Sequence, residues 1–333
     1  MVLLPIILKL LLALSVAVPI SLTDYDGEFD PGRRRSVLLT SPRPDEWTCV
    51  VPYFNEARVI ERCLVSLAAQ SSPPKVILVD NGSTDIGRRI AERCCTANGL
   101  QFESVAEPTP GKVAALAKGL AATTTTFVAT CDADTYYPPD YLFQAGLLLN
   151  RPSVVAAGAV LISDRRAKFR GLFERFHLRM AARVAPWQCH SGGAGQVFRT
   201  DALRKVDGFD PRIWNLVLED HEVIARVGMT GIVAYDSGFW CNPLTRLGRH
   251  ERVGWSLSER VCYHMTARRS MPAYFAGYLA PRLVQREQWN IKLRPNGLLA
   301  DANLERSFAP TTLIARVEHH ARRAWAVAAT RSF

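Results

Sequence analysis

Phe127-Val128-Ala129-Thr130-Cys131-Asp132-Ala133-Asp134-Thr135 is a short apolar run that ends in two carboxylates one residue apart. Small and β-prone residues bounded by a polar turn read as a buried strand, and Tyr136-Tyr137-Pro138-Pro139 stops any helical continuation. Asp132 and Asp134 therefore stand at a strand's exit. In open α/β sheets ligands bind outside the carboxyl ends of the strands, so the pair is expected to face a crevice. Two like charges that close repel unless a cation or a shared proton intervenes, and a hard divalent metal is the common remedy where a phosphate is also bound. A solvated acidic turn explains an isolated Asp-x-Asp more simply. The order of motifs around it decides otherwise.

Upstream, Thr48-Cys49-Val50-Val51-Pro52 reads as a first buried strand, followed at once by Asn55-Glu56. Val59, Ile60, Cys63, Leu64, Leu67 and Ala68 recur at three- and four-residue steps, which predicts an amphipathic helix capped by Asn55 and ended by Pro73-Pro74. Val76 to Val79 is the next strand, with Asp80-Asn81-Gly82-Ser83-Thr84-Asp85 at its exit. Gly82 permits a sharp turn and Ser83 or Thr84 can cap the following helix. A third strand over 102–106 leads to Gly111-Lys112 and a helix through Leu120. Lys112 would open that helix at its positive end, where a phosphate is welcome; a plain surface lysine is the alternative. The run ending at Asp132 is then the fourth strand of a strand-helix alternation, which implies a mostly parallel sheet flanked by helices. The G-x-G-x-x-G and G-x-x-x-x-G-K-[ST] loops are absent, so a nucleotide would be held by other means.

Downstream, the pattern predicts a helix over 139–149, a strand over 154–161 and a basic amphipathic helix over 168–184, which either lies on an anionic membrane or packs its apolar side on the core. His190-Ser191-Gly192-Gly193-Ala194-Gly195 would let a ligand approach the backbone closely, unless it is only a flexible loop. Glu219-Asp220 opens a segment with helical spacing at Val223, Ile224 and Val227. The helix dipole favours acids there, and a carboxylate held at a helix mouth can also act as a general base. Arg246, Arg249, His250 and Arg252 precede a helix expected over 253–269, with His250 a candidate metal or phosphate contact or a surface histidine.

The 333 residues suffice for a large α/β domain, and 48 % apolar with 22 % charged residues is ordinary for a globular chain. The net charge of +10 rests mainly on arginine and favours anionic partners; dispersed basic residues without a recognition motif argue against nucleic acid. The eight cysteines lack zinc or disulfide spacing and read as buried thiols. Residues 1–22 are apolar apart from Lys9. They read as a membrane anchor, a signal-like segment or an extension from a mis-assigned start, and the Lys9 charge costs an inserted helix roughly 2–3 kcal/mol. Residues 23–46 read as a tether whose Arg33-Arg34-Arg35 would keep the domain on the cytoplasmic side. A catalytic domain is expected over 47–270 and a helical extension over 271–333.

Val51-Pro52-Tyr53-Phe54-Asn55-Glu56, Asp80 to Asp85, Gly111-Lys112, Asp132-Ala133-Asp134 and Glu219-Asp220, in that order, resemble the family 2 glycosyltransferases, inverting enzymes of the GT-A fold. The resemblance runs from about Thr48 to Asp236. It implies that Pro52, Tyr53, Glu56, Asp80, Lys112 and Asp132 bind the nucleotide-sugar. By the same likeness Asp134, with Asp132 and His250, holds Mn²⁺ or Mg²⁺, and Asp220 is the general base that Glu219 positions. Gly192, Gly193 and Ala194 would form the acceptor loop. The partners so implied are a UDP-sugar or related donor and a saccharide or lipid-linked acceptor near a membrane surface, as in envelope polysaccharide or glycolipid assembly. The chain lacks the Gln-x-x-Arg-Trp of the processive synthases, which favours single addition.

Two rivals stand beside this reading. Asp132-Ala133-Asp134-Thr135 also fits the D-x-D-x-T of haloacid dehalogenase-like phosphatases, but those carry it on the first strand. A non-catalytic sugar-nucleotide binder or scaffold would keep the fold without the chemistry.

Overall fold

The computed structural model describes residues 46–162, 178, 180–243 and 255–290. Four strands, β1 (Trp47–Tyr53), β2 (Lys75–Asp80), β3 (Phe102–Ala106) and β4 (Phe127–Cys131), alternate with three helices, α1 (Ile60–Ala68), α2 (Gly87–Ala97) and α3 (Lys112–Ala122). Then come β5 (Thr135–Tyr136), α4 (Tyr141–Leu149), β6 (Val154–Leu161), β7 (Gly195–Arg199), α5 (Thr200–Lys205), α6 (Glu219–Gly228), β8 (Ile232–Pro243) and α7 (Leu257–Met265). A π-wound segment, Ala273–Leu279, runs into α8 (Ala280–Gln285).

The strands form one sheet in the order β3-β2-β1-β4-β7-β6-β8-β5. Along β1, Val50 turns to one face and Trp47, Cys49, Val51 and Tyr53 to the other; β2 divides Ile77 and Val79 from Val76 and Leu78 in the same way. Successive strand side chains point to opposite faces, and here both sets are buried, so the sheet is the middle of three layers. Helices α3 and α6 to α8 cover one face, and α1, α2 and α4 cover the other.

The expected parallel order holds through β3-β2-β1-β4, and β6 also runs parallel to β8. Strand β7 runs antiparallel to both β4 and β6, as β5 does to β8. That reversal matters for the site, because Cys131 at the end of β4 pairs with Gly195 at the start of β7. The acidic turn and the glycine loop thus meet at one edge.

Two local expectations are corrected. Asn55 does not cap α1, which begins at Ile60 without a side-chain cap. Burying Ile60, Leu64 and Leu67 contributes roughly 1.5–3 kcal/mol each, more than the ~1 kcal/mol a cap would add. Ser83 and Thr84 do not cap α2 either; Asp85 Oδ1 instead accepts from Gly87 N at 2.9 Å.

Residues 271–290, the described part of the stretch expected as an extension, pack into the same core. Met271, Tyr274, Phe275, Leu279 and Leu283 pack with Val113, Leu116 and Val223. The helix expected over 253–269 is the shorter α7, started by a Ser256–Glu259 capping box. The apolar segment 1–22, the tether, most of the basic segment 168–184, the cluster from Arg246 to Arg252 with His250, and residues 291–333 lie outside the described residues. No helix among the described residues is long and apolar enough to cross a membrane. All eight cysteines are free thiols, seven of them buried.

Candidate active site

Parallel register brings the exits of β1, β2 and β4 level, with Tyr53 beside Asp80 and Val50 beside Thr130. They open into a hollow of about 260 Å³ whose wall includes Pro52, Tyr53, Glu56, Asn81, Lys112, Asp132, Asp134 and Asn290. Asn55, held at φ +55, clasps the neighbouring exit loop: its backbone N–H donates to Ser83 Oγ at 3.1 Å and its Oδ1 accepts from Thr84 N at 2.8 Å. Asp80 is turned into that loop, with Oδ1 accepting from Ser83 N at 2.9 Å. The residue on the hollow's wall at this exit is Asn81.

Asn81 shapes the next loop. Its amide donates to Glu107 O (2.9 Å) and Thr109 O (2.7 Å), and its Oδ1 accepts from Gly111 N at 2.9 Å. Gly111 has φ +125, a conformation glycine adopts without a Cβ clash, and it turns the chain directly into α3. Lys112 is thereby delivered to the first turn of α3, inside the hollow.

Lys112 does not sit there as a lone cation. Its ammonium lies 2.6 Å from Asp132 Oδ1 and 3.9 Å from Glu219 Oε1, with 27 % of the side chain exposed. Burial alone would lower its pKa. Asp132 and Glu219, then Asp220, outweigh burial and hold the ammonium above the ordinary lysine value. One side chain therefore joins the acids at the end of β4 to the acids at the start of α6.

The turn before α6 is strained and braced. Leu218 adopts the left-handed conformation at φ +67, and the segment ahead of it is pinned by Val217 N to Gln288 O (3.1 Å) and Asn290 N to Asn215 O (3.1 Å). Asn290, 2 % exposed, also donates from Nδ2 to Glu219 Oε2 at 3.1 Å and accepts from Val113 N at 3.2 Å. Gln196 Nε2 donates to Asp220 O at 3.1 Å, tying the acid pair to β7. Burial pushes the Glu219 carboxyl up, Lys112 pulls it back and Asp220 adds to the rise, leaving it at about 7. Burial would raise Asp220 as well, but His221, bonded to it at 2.9 Å, and Lys112 hold it below the usual carboxylate range.

The glycine loop closes the far side. A Cβ on Gly193 would lie 3.2 Å from Asp220 Cβ and 3.6 Å from Lys112 Nζ, and one on Gly192 would lie 3.9 Å from Asp220 Oδ2. Thr130 donates to Gly193 O at 3.0 Å. The fully buried Tyr137 accepts from Asp132 N (2.8 Å) and donates to Ala194 O (2.7 Å), locking the acidic turn to the loop.

The carboxylates of Asp132 and Asp134 are hard oxygen donors on the wall of a hollow, the donor chemistry that Mg²⁺ or Mn²⁺ prefers, so these residues fit such an ion. Cys189 Sγ, an Asp220 oxygen and a His221 ring nitrogen also lie within 4.8 Å of one another. There the thiol donates to Ser191 O at 2.7 Å and burial pushes it well up, so hydrogen bonds account for that grouping.

Pro52, Tyr53, Glu56, Lys112, Asp132 and Asp134 thus share one hollow. Glu219, Asp220, Gly192 and Gly193 meet it through Lys112, while Asp80 stands one residue aside. His250 lies outside the described residues. Asn81, Tyr137, Gln196, His221 and Asn290 carry no sequence signal of their own for these roles; Asn81 lay inside the Asp80 to Asp85 motif and Tyr137 inside the helix stop, and the other three lay in no marked motif.

Residues 48–207 match glycosyl transferase family 2. The uncharacterised glycosyltransferase Mb0553 of Mycobacterium bovis is 32 % identical over 215 residues, covering 65 % of this chain and 83 % of its own length. The uncharacterised glycosyltransferase YaiP of Escherichia coli K12 is 31 % identical over 194 residues, 52 % of this chain; the match spans about half, 48 %, of YaiP. Among solved structures, the mannosyltransferase PcManGT of Pyrobaculum calidifontis, in complex with GDP-Man and Mn²⁺, superposes with a TM-score of 0.51 at 20 % identity, covering 90 % of this chain and 79 % of that one. TarS 1–349 of S. aureus, in complex with UDP-GlcNAc, gives 0.51 at 17 % identity, covering 86 % and 90 %. At such identities the structures speak for the fold, which is GT-A. The D-x-D-x-T phosphatase reading falls here, since the motif ends the fourth strand rather than the first. Strand-exit acids, a helix-mouth acid pair and these likenesses converge: the chain belongs to glycosyl transferase family 2 and is a glycosyltransferase.

Proposed function

We propose that the chain transfers one sugar from a nucleoside-diphosphate donor, a UDP-sugar first among them, to an acceptor hydroxyl with inversion at the anomeric carbon. The observation that carries this reading is Lys112, whose ammonium on the wall of the hollow stands between Asp132 and Glu219 and links the acids after β4 to the acids opening α6. The solved relatives in complex with GDP-Man or UDP-GlcNAc support a nucleotide-sugar donor, and the Mn²⁺ of one supports a divalent ion.

In this reading Pro52, Tyr53 and Glu56 take the nucleoside, with Asp80 holding the loop beside it. Asp134 and Asp132 would hold Mn²⁺ or Mg²⁺, which when bound offsets charge developing on a departing diphosphate. Lys112 adds its own positive charge beside that leaving group. Asp220 takes the proton of the acceptor hydroxyl, and attack opposite the leaving group inverts the centre. Glu219 anchors Lys112 and sets its distance from Asp220. Gly192 and Gly193, whose missing side chains let the loop lie against Asp220, border the acceptor's approach to it. The acceptor is a saccharide or lipid-linked glycan in envelope assembly, handled on the cytoplasmic side of a membrane.

Calorimetry with UDP-, GDP- and TDP-sugars in Mn²⁺ and in chelator, paired with assay of nucleoside diphosphate release, tests this. Metal-dependent binding of one donor with turnover is expected. Binding without turnover on any acceptor or water would instead indicate a sugar-nucleotide binder.

A further inference from the structure

Asp220 is held on one oxygen. Its Oδ1 accepts two hydrogen bonds from the next residue, from His221 N at 2.9 Å and from the His221 ring Nδ1 at 2.9 Å. Its Oδ2 carries no hydrogen bond among the described residues, and it lies beside the Gly192–Gly193 backbone, where added Cβ atoms would lie 3.9 and 3.7 Å away. The ring that fixes Oδ1 is itself fixed. Trp255 meets it edge-on at 4.7 Å and Tyr263 at 5.6 Å, and Tyr263 Oη accepts from Cys189 N at 2.7 Å. Trp255 leads directly into the Ser256–Glu259 capping box, and Glu259 is gripped by both terminal nitrogens of Arg286 at 2.9 Å.

A carboxylate that must collect a proton works best with one oxygen committed to the protein and the other presented to substrate, because freedom of rotation would spread it over unproductive poses. We propose that His221 is a positioning residue for Asp220: its Nδ1–H anchors Oδ1 and so leaves Oδ2, beside Gly192 and Gly193, to meet the acceptor hydroxyl. This deepens, and rests on, the reading of Asp220 as the general base. The groups facing Asp220 are His221 and Glu219 from α6, Lys112 from α3, Cys189 from the loop before β7, Tyr235 from β8 and Tyr263 from α7. Of these, His221 is the one that donates to its carboxylate.

Three variants separate aiming from packing. His221→Phe keeps a ring against Trp255 and Tyr263 but loses the donor, His221→Asn places an amide N–H where Nδ1 stood, and Asp220→Asn removes the base. The readout is release of nucleoside diphosphate from UDP-glucose, UDP-GlcNAc and GDP-mannose with Mn²⁺, water serving as acceptor, across pH. His221→Phe should lower kcat by roughly tenfold to a hundredfold with the donor KM unchanged. Its acid limb should move to higher pH, because a carboxylate that loses a hydrogen-bond donor holds its proton longer. His221→Asn should recover most of the rate and return the limb toward the wild-type position. Wild-type kinetics in His221→Phe, or equal loss in the Phe and Asn variants with an unmoved limb, would overturn the proposal while Asp220→Asn stays inactive. Full activity in Asp220→Asn would overturn the base assignment itself.

Discussion

The two walls of the site are assembled by different means. On the strand-exit wall, β1, β2 and β4 are parallel neighbours, and their exits converge because parallel register makes them converge. On the acid wall, Glu219 and Asp220 stand after a left-handed Leu218, and partners distant in sequence hold them: Gln196 from β7, Gln288 and Asn290 from the far end of the described chain. A repeating strand-helix unit gives the first wall almost without further instruction. The second depends on separate long-range bonds, each of which one substitution can cut.

If that contrast is right, the joint between the walls should be the most sensitive point. Lys112→Ala removes the cation shared by Asp132, Glu219 and Asp220, and should lower turnover roughly a hundredfold or more while weakening donor binding. Unchanged turnover at saturating donor would show that the walls act independently. Asn290→Ala cuts the longest tie. Leaving Val113 N–H and Glu219 Oε2 without it should cost about 1–3 kcal/mol in urea unfolding. It should also reduce kcat about tenfold, because the acids lose their placement. A stability loss with no kinetic change would reduce the C-terminal segment to mere packing.

Glu219→Gln sharpens the contrast electrostatically. The folded carboxyl is raised to about 7, so the native state holds a proton that the unfolded chain releases above its ordinary pKa near 4.5. Stability of the wild type should therefore fall as pH rises from about 4.5 to 7, by at most ~1.4 kcal/mol per pH unit from this group. Glutamine cannot ionise, so the variant's Tm relative to wild type should be higher at pH 8 than at pH 5. A difference independent of pH would contradict the assignment. The smallest effect belongs to the strand-exit wall: Asn55→Gly keeps the positive φ and the backbone bond to Ser83 but removes the side-chain bonds to Thr84 and Asp85. It should cost about 1 kcal/mol or less in thermal unfolding, with donor affinity changed only a few-fold.

The same contrast explains what the sequence disclosed. Asp132-Ala133-Asp134 could be placed at a strand exit, and Lys112 and Glu219 at helix starts, because hydrophobic periodicity and breakers are local signals. Val154–Leu161 emerged as a strand with the expected bounds for that reason. Asn55 looked like a cap because Asn before an amphipathic run usually is one; its bonds to a loop 28 to 30 residues away could not be seen. Tyr137 read only as part of a helix stop, although its hydroxyl spans 57 residues to reach Ala194. Asn290 lies 177 residues from Val113 and in no motif. Antiparallel β7, which seats the glycine loop beside Asp132, was likewise hidden, since a short apolar run does not declare its direction.

In the proposed reaction the acids after β4 serve the donor and the acids opening α6, joined to them through Lys112, serve the acceptor. Calorimetric titration of Asp134→Asn and Asp220→Asn with the donor selected by screening, in Mn²⁺ and in chelator, alongside transfer rates, addresses it most directly. Asp220→Asn should bind the donor as the wild type does while transfer falls by roughly 10²–10⁴, and Asp134→Asn should lose the metal-dependent part of binding. Transfer surviving in Asp220→Asn, or both variants losing donor binding alike, would contradict it.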